Sequence, residues 1–180
     1  MANTKWQIDP AHSTVEVAVK HMMFTTVRGR FRDVKGTIEV DDASPNKTVV
    51  DVEIQATSLD TGTADRDAHL RSADFLDVEN HPTLTFRSTS VEGAMANEGD
   101  KFTVNGELTI RGTTKPVTLD CVFGGTGKDP WGGTRAGIRA TTKIDRRDWG
   151  LTWNQALETG GILVANDLRI EIEAQAVKQS

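Results

Sequence analysis

The sequence predicts an all-β protein, an antiparallel barrel or sandwich of about eight strands with one or two short helices. Apolar and polar residues alternate with period two along most of the 180 residues, as they do in strands with one buried face. Short turn signals join most of the alternating runs. Residues 64–76 depart from period two and suit a short helix.

The runs follow in order. Ser13–His21 sets Val15, Val17, Val19 and His21 on one face against Glu16, Ala18 and Lys20. Gly36–Val40 sets Ile38 and Val40 against Glu39. Val49–Ala56 gives Val50, Val52, Ile54 and Ala56, and Thr83–Ser88 gives Leu84 and Phe86. Phe102–Ile110 presents Phe102, Val104, Gly106, Leu108 and Ile110; Val117–Phe123 presents Val117, Leu119, Cys121 and Phe123. Arg135–Ile144 gives Ala136, Ile138, Ala140, Thr142 and Ile144, and Leu168–Ala176 gives Leu168, Ile170, Ile172, Ala174 and Ala176. Asp41–Lys47 reads as a turn. Arg111–Pro116 reads as a tight hairpin in which Gly112 takes positive φ and Pro116 ends the pairing. Gly124–Gly133 reads as a longer, flexible turn. In residues 64–76, Thr63 caps the start, and Ala64, Ala68, Leu70 and Ala73 supply a buried side. Asp65 and Asp67 suit the first turn, and Asp67 and Arg71 an i,i+4 ion pair.

The chain suits a single domain over residues 1–180. A net charge of -5 with no basic stripe argues against nucleic acid and against a polybasic membrane anchor. No run approaches the ~18 apolar residues of a membrane span. The single cysteine excludes an internal disulfide and a cysteine-rich zinc motif. No signal segment opens the chain, so a cytoplasmic place is expected; an exported protein trimmed of its leader, periplasmic or secreted, reads the same way.

Candidates for chemistry are sparse. "DRDAHLRSADFLDVENHP", Asp65–Pro82, crowds histidines, arginines and carboxylates together. His69 and His81 could offer two metal ligands, but the spacing matches no strong motif, and the alternative is a structural helix with His69 in a local hydrogen bond. His21 shares a face with three valines and reads as a wall residue more readily than as a base. The alternative enzyme, acting on a small lipophilic substrate, would use His21, His69 or Asp67 as base. His12 lies in a turn where Asp9 and Ser13 can bond nearby amides. Cys121 reads as a small buried hydrophobe. No nucleophile elbow, zinc-protease helix or phosphate-binding loop is present. The inward faces are aliphatic and often small, which leaves volume for a long apolar ligand unless bulky neighbours fill it. Trp149 and Trp153, in Arg146–Asp167, could line an entrance or plug an end.

Five segments in one order carry a family resemblance: "WQIDPAHSTVEVAVKHM", "VRGRF", "DRDAHLRSADFLDVENHP", "GELTIRGTTKPVTL" and "IDRRDWGL". Together they resemble the YceI-like family of polyisoprenoid-binding proteins from residue 6 to about residue 174. Leu76, His81 and Trp149 depart from the aromatic pattern of the family. The resemblance implies a lipocalin-like, extended antiparallel barrel with an apolar tunnel. It also implies binding of an isoprenoid or quinone-like lipid without a chemical step, no cofactor, and a homodimer. The lining expected on this reading is Val15, Val17, Val19, His21, Phe31, Ile38, Val52, Ile54, Leu84, Phe86, Leu108, Ile138, Ala140, Ile170 and Ile172. No catalytic or metal-ligating residue is assigned. A stress-related interaction protein with an incidental cavity is the remaining alternative. The Asp65–Pro82 stretch then reads as a lid or brace.

Overall fold

The computed structural model describes residues 3–157 and 162–180. Its strands are β1 (Asn3–Ile8), β2 (Thr14–His21), β3 (Thr25–Phe31), β4 (Val34–Asp41), β5 (Val49–Gln55), β6 (Leu59–Asp60), β7 (Thr83–Gly93), β8 (Lys101–Ile110), β9 (Thr113–Lys128), β10 (Thr134–Asp145) and β11 (Asp167–Lys178). The α-helix α1 (Ala64–Arg71) lies between β6 and β7. Every pairing is antiparallel. Strands β1, β4, β5, β7, β8, β9, β10 and β11 follow one another around a ring that closes between β11 and β1. The fold is therefore a closed, eight-stranded, lipocalin-like barrel.

The remaining strands extend that ring. β11 pairs with β1 near its C-terminus, Ala176 opposite Ile8, and with β2 near its start, Arg169 opposite Ala18. β1 and β2 are thus one pass of the chain, bent between Asp9 and Ser13. β3 with β4, and β5 with β6, are two more bent passes. Arg32 and Asp33 separate the first pair, and a short 3-10 turn at Ala56–Ser58 separates the second. Hydrogen bonds align these bends: the Gln55 amide donates to the Asp33 carbonyl at 3.0 Å and the Arg32 amide to the Ser58 carbonyl at 3.3 Å.

At the first bend, groups outside the ladder serve the backbone of Gln175. Its carbonyl accepts from the Asp9 amide at 2.8 Å, and its amide donates to Ser13 Oγ at 3.1 Å. Arg135 on β10 donates to Asp9 Oδ2 at 2.7 Å and to Asp129 Oδ2 at 3.0 Å. Asp9 also accepts from the Ala11 amide, as expected locally, whereas Ser13 reaches across to β11.

The expected runs lie in strands except at Ser13, which precedes β2, and Ala56, which opens a 3-10 turn, and further details differ. Pro116 does not end pairing; it stands opposite Glu107 inside β9. Until Asp120, β9 has β8 as its only partner, so a residue without an N–H is tolerated there. Gly124–Lys128 continue β9 rather than forming a flexible loop. The helix ends at Arg71 rather than at residue 76; Ala64 and Ala68 in it and Ala73 beyond it are exposed, and Asp67 is its buried residue. Thr63 stands at the N-cap without a side-chain hydrogen bond. Asp67 and Arg71 do not pair: Asp67 accepts from Thr61, and Arg71 donates to the carbonyls of Thr57 and Leu59. A helix of eight residues follows its tertiary partners more than its own periodicity.

The Arg135 guanidinium and His12 hold the Asp9 carboxyl down at about 2, against a usual 3.8. Its stabilising contribution is therefore complete above pH about 4 and lost as the pH falls through about 2. Arg135→Gln should flatten the fall in stability across that window, read by urea unfolding at a series of pH values.

Candidate functional site

The inward faces of the strands do not meet in the middle. They enclose a cavity of about 270 Å³, far larger than the few-water voids of an ordinary packed interior. The strand register builds its wall. β2 contributes Val15, Val17 and Val19; β3 contributes Phe31; β4 contributes Ile38; β5 contributes Val52 and Ile54. β7 adds Leu84 and Phe86, β8 adds Leu108, β10 adds Ile138 and Ala140, and β11 adds Ile170 and Ile172. These are fourteen of the fifteen residues expected on the lining.

His21 is the exception. It ends β2, bridges to Val164 and lies outside the cavity wall. Its parity points inward, and its bridge partner Val164 lines the cavity while His21 does not.

Small inward residues open space only where no large neighbour covers them. Ala140, Thr142 and Ala174 face the cavity on the adjacent strands β10 and β11. Gly106 does not, because the Phe86 ring occupies the place its side chain would take, with the Arg87 carbonyl 2.6 Å from a Cβ built there. Ala176 packs with Ile8 and Ile38 in a separate small cluster.

One end of the cavity does not come from strands; sequence reasoning read Asp65–Pro82 as a lid with Leu70 on its buried side, but put neither Phe75, Leu76, Leu151 nor Val164 on the lining. Leu70 on α1, Phe75 and Leu76 after it, and Leu151 and Val164 on the segment before β11 all line it. Residues 158–161 of the Arg146–Asp167 stretch lie outside the described residues. The pieces of this cap are tied together. His69 Nε2 meets Asp74 Oδ2 at 2.9 Å, and its ring stands edge-on to Trp153 at 4.6 Å and to Phe75 at 5.1 Å. Trp149 is buried and donates from Nε1 to the Leu108 carbonyl at 2.9 Å. Arg111 in the β8–β9 hairpin donates to the Phe75 carbonyl at 3.1 Å.

Electrostatically the wall is almost bare. Among the described residues it carries no histidine, carboxylate or lysine. Its one charged residue is Arg146, 2% exposed. The guanidinium donates to the carbonyls of Leu151, Ala165 (2.9 Å) and Val164 (3.4 Å). Burial pulls its pKa below the usual guanidinium value, with Asp145 opposing. Since its nitrogens are committed to backbone oxygens, Arg146 offers the cavity its alkyl stem. Burial pushes the Cys121 thiol up to about 12, so the sulfur on the wall is a neutral thiol at physiological pH.

The residues considered as bases or ligands are used elsewhere. His12 pairs with Asp9, His69 with Asp74, and Asp67 with Thr61. His81 rests against the β8–β9 turn at Gly112. Among the described residues no cluster of three His, Cys, Asp or Glu side chains is placed to hold a metal ion. No described helix is long and apolar enough to cross a membrane.

The comparisons with known proteins agree with this architecture. A family model described as the YceI-like domain matches residues 6–176. Protein YceI of Salmonella newport is 44% identical over 141 residues, spanning 78% of this chain and 72% of that one. The crystal structure of a Campylobacter jejuni YCEI protein superposes with a TM-score of 0.74 at 31% identity, over 89% of this chain and 90% of that one. A polyisoprenoid binding domain from Saccharophagus degradans superposes with a TM-score of 0.69 at 12% identity, over 95% and 97% of the two chains, and shows the shared fold.

Arg146→Met should cost about 3 kcal/mol or more, since it leaves buried carbonyls without donors. Arg146→Lys should recover only part of that, because one ammonium does not reproduce the guanidinium fork. Urea unfolding of the two variants beside the parent measures both.

Proposed function

We propose that this chain, which belongs to the YceI-like family, holds a long apolar isoprenoid or quinone-like lipid in the barrel cavity without a chemical step. The observation that carries the reading is the continuous apolar wall, whose single charged residue turns its nitrogens away into backbone carbonyls. A hydrocarbon chain gains roughly 25 cal/mol for each Å² of apolar surface it removes from water, before the costs of ordering. A polar or charged head gains nothing on such a wall and would lose its hydration. The ligand chemistry that fits is therefore a chain that enters and a head that stays at the mouth. The relative from Saccharophagus degradans, described as a polyisoprenoid binding domain, supports the same ligand class.

The absence of any acid, base or lysine from the described wall leaves nothing there to move a proton. Cys121 offers no thiolate. These features support carriage or sequestration over turnover.

Organic extraction of the purified protein, followed by mass spectrometry, tests the reading directly. A stoichiometric isoprenoid or quinone is expected; nothing above background would sink it. Ala140→Phe gives a second test. In a solid core the added ring would cost about 1–3 kcal/mol. In the cavity it should leave stability nearly unchanged while lowering the amount of lipid extracted.

A further inference from the structure

The turn between β2 and β3 puts three large apolar side chains into solvent. Phe24 is 81% exposed, Met23 68% and Met22 37%. Met22 and Met23 hold positive φ, 51° and 65°, and the Phe24 amide closes the turn on the His21 carbonyl at 3.1 Å. Positive φ at both central residues is the type I′ pattern, which Asn-Gly fills without strain. Methionine at both positions strains the backbone, and Met23 gains little burial in return. The turn is nonetheless anchored. The Met22 amide donates to the Leu163 carbonyl at 2.8 Å, and the Ala165 amide donates to the Lys20 carbonyl at 3.0 Å.

The tip is continuous with the cavity wall. Val19 and Val27 are paired two rows below the turn, and both line the cavity. The outer face of the same strands is cationic. Lys20 is exposed. Ala18 stands between Arg28 on β3 and Arg169 on β11, and Arg169 pairs in register with Lys143 on β10. In the same rows stand Glu16, which meets Arg28 at 3.6 Å and Arg30 at 3.8 Å, and Asp167, which meets Lys143 at 3.2 Å. Asp145 meets Arg147 at 2.6 Å, and Glu171 stands opposite Glu16. The six cations Lys20, Arg28, Arg30, Lys143, Arg147 and Arg169 thus outnumber four carboxylates. Lys20 lies two residues before Met22 and Arg28 four after Phe24, about 7–13 Å from the tip along the strands. Amphipathic elements sink about 5–10 Å into a bilayer interface. That depth brings the band to the level of anionic head groups.

We infer that the Met22–Phe24 turn docks the protein on an anionic lipid surface, with the cap segment it is bonded to, at Leu163, beside the bilayer. The inference rests on the lipid-binding reading above. A second copy of the chain fits the turn less well. Three side chains fall far short of the roughly 800 Å² per partner that a stable interface buries, and a two-fold axis there would bring the cationic band against itself.

Flotation of the purified chain tests this, with vesicles of phosphatidylcholine alone and vesicles in which about a third of the lipid is phosphatidylglycerol. The protein should float with the anionic vesicles, less so as salt is raised. The double variant Met23→Ser, Phe24→Ser should bind about tenfold less or weaker still. Lys20→Glu with Arg169→Glu should lose the preference for anionic lipid. A parent protein that stays unbound, or a serine variant that floats equally well, overturns the inference. So does light scattering that shows a dimer for the parent and a monomer for the serine variant, since a second copy would then cover the tip. Extraction and mass spectrometry separate the two readings. Neither Met23 nor Phe24 lines the cavity, so the serine variant should keep its lipid. A filled cavity without vesicle binding overturns the docking alone; an empty cavity in both proteins overturns the lipid-binding reading beneath it.

Discussion

A barrel with an open interior gives up part of the packing that stabilises a solid core, because its inward side chains lack atoms on one side. The fold therefore depends on the closure of its hydrogen-bonded wall. β11 carries that closure by pairing with β1 near its C-terminus and with β2 near its start. Without it the sheet would expose two long edges and the apolar lining behind them. The first pass of the chain can serve both halves of β11 only by bending. The bend would leave the Gln175 backbone unpaired but for the Asp9 amide and the Ser13 hydroxyl. Arg135, joined to Asp9 and Asp129, fixes the bend from β10. Ionic and polar groups at this one level are thus what allow an oily interior elsewhere.

The same logic governs the capped end. Buried side chains there include two that are charged, Asp67 and Arg146, and each is spent on backbone. Asp67 accepts from the Thr61 amide and hydroxyl, which pins the entrance of α1 to the strand before it. Arg146 gathers carbonyls from the irregular segment before β11, which a sheet ladder cannot satisfy. A crowd of charged residues in a sequence therefore need not mark chemistry. Where irregular chain must cover an apolar space, its polar backbone needs partners, and arginine and aspartate supply them.

Much of this was legible in the sequence because period-two alternation is a local signal that sheet burial enforces directly. Val15, Val17 and Val19, or Ile170 and Ile172, face the cavity for the same reason that they alternate. Less legible were features set by distant partners. β1 and β6 carry weak alternation and gain their strand state from β11, β4 and β3. Nothing in "ADRDAHLR" announces that Asp67, rather than Ala64 or Ala68, turns inward, because the Thr61 backbone decides it. The cap residues Phe75, Leu76, Leu151 and Val164 come from irregular chain, where no period marks an inward face. The exposed Met22–Phe24 turn was hidden by its own composition, since large apolar residues between two strands look like core until the turn is placed in space.

Location also decides which small residues become cavity. Gly106 and Ala140 both lie on inward faces, yet the space beside Gly106 belongs to Phe86 on β7, its neighbour in the sheet. Ala140, Thr142 and Ala174 lie on adjacent strands opposite Ile172, Ile170 and Ile138, side chains that reach inward without covering them. Three short side chains thus cluster in register on the β10–β11 part of the wall. An apolar chain lying along that seam would meet methyl and methylene groups on every side. It would meet no group able to tell one part of its length from another. Such a wall selects by width and by apolar character, and leaves discrimination of the head to whatever surrounds the mouth.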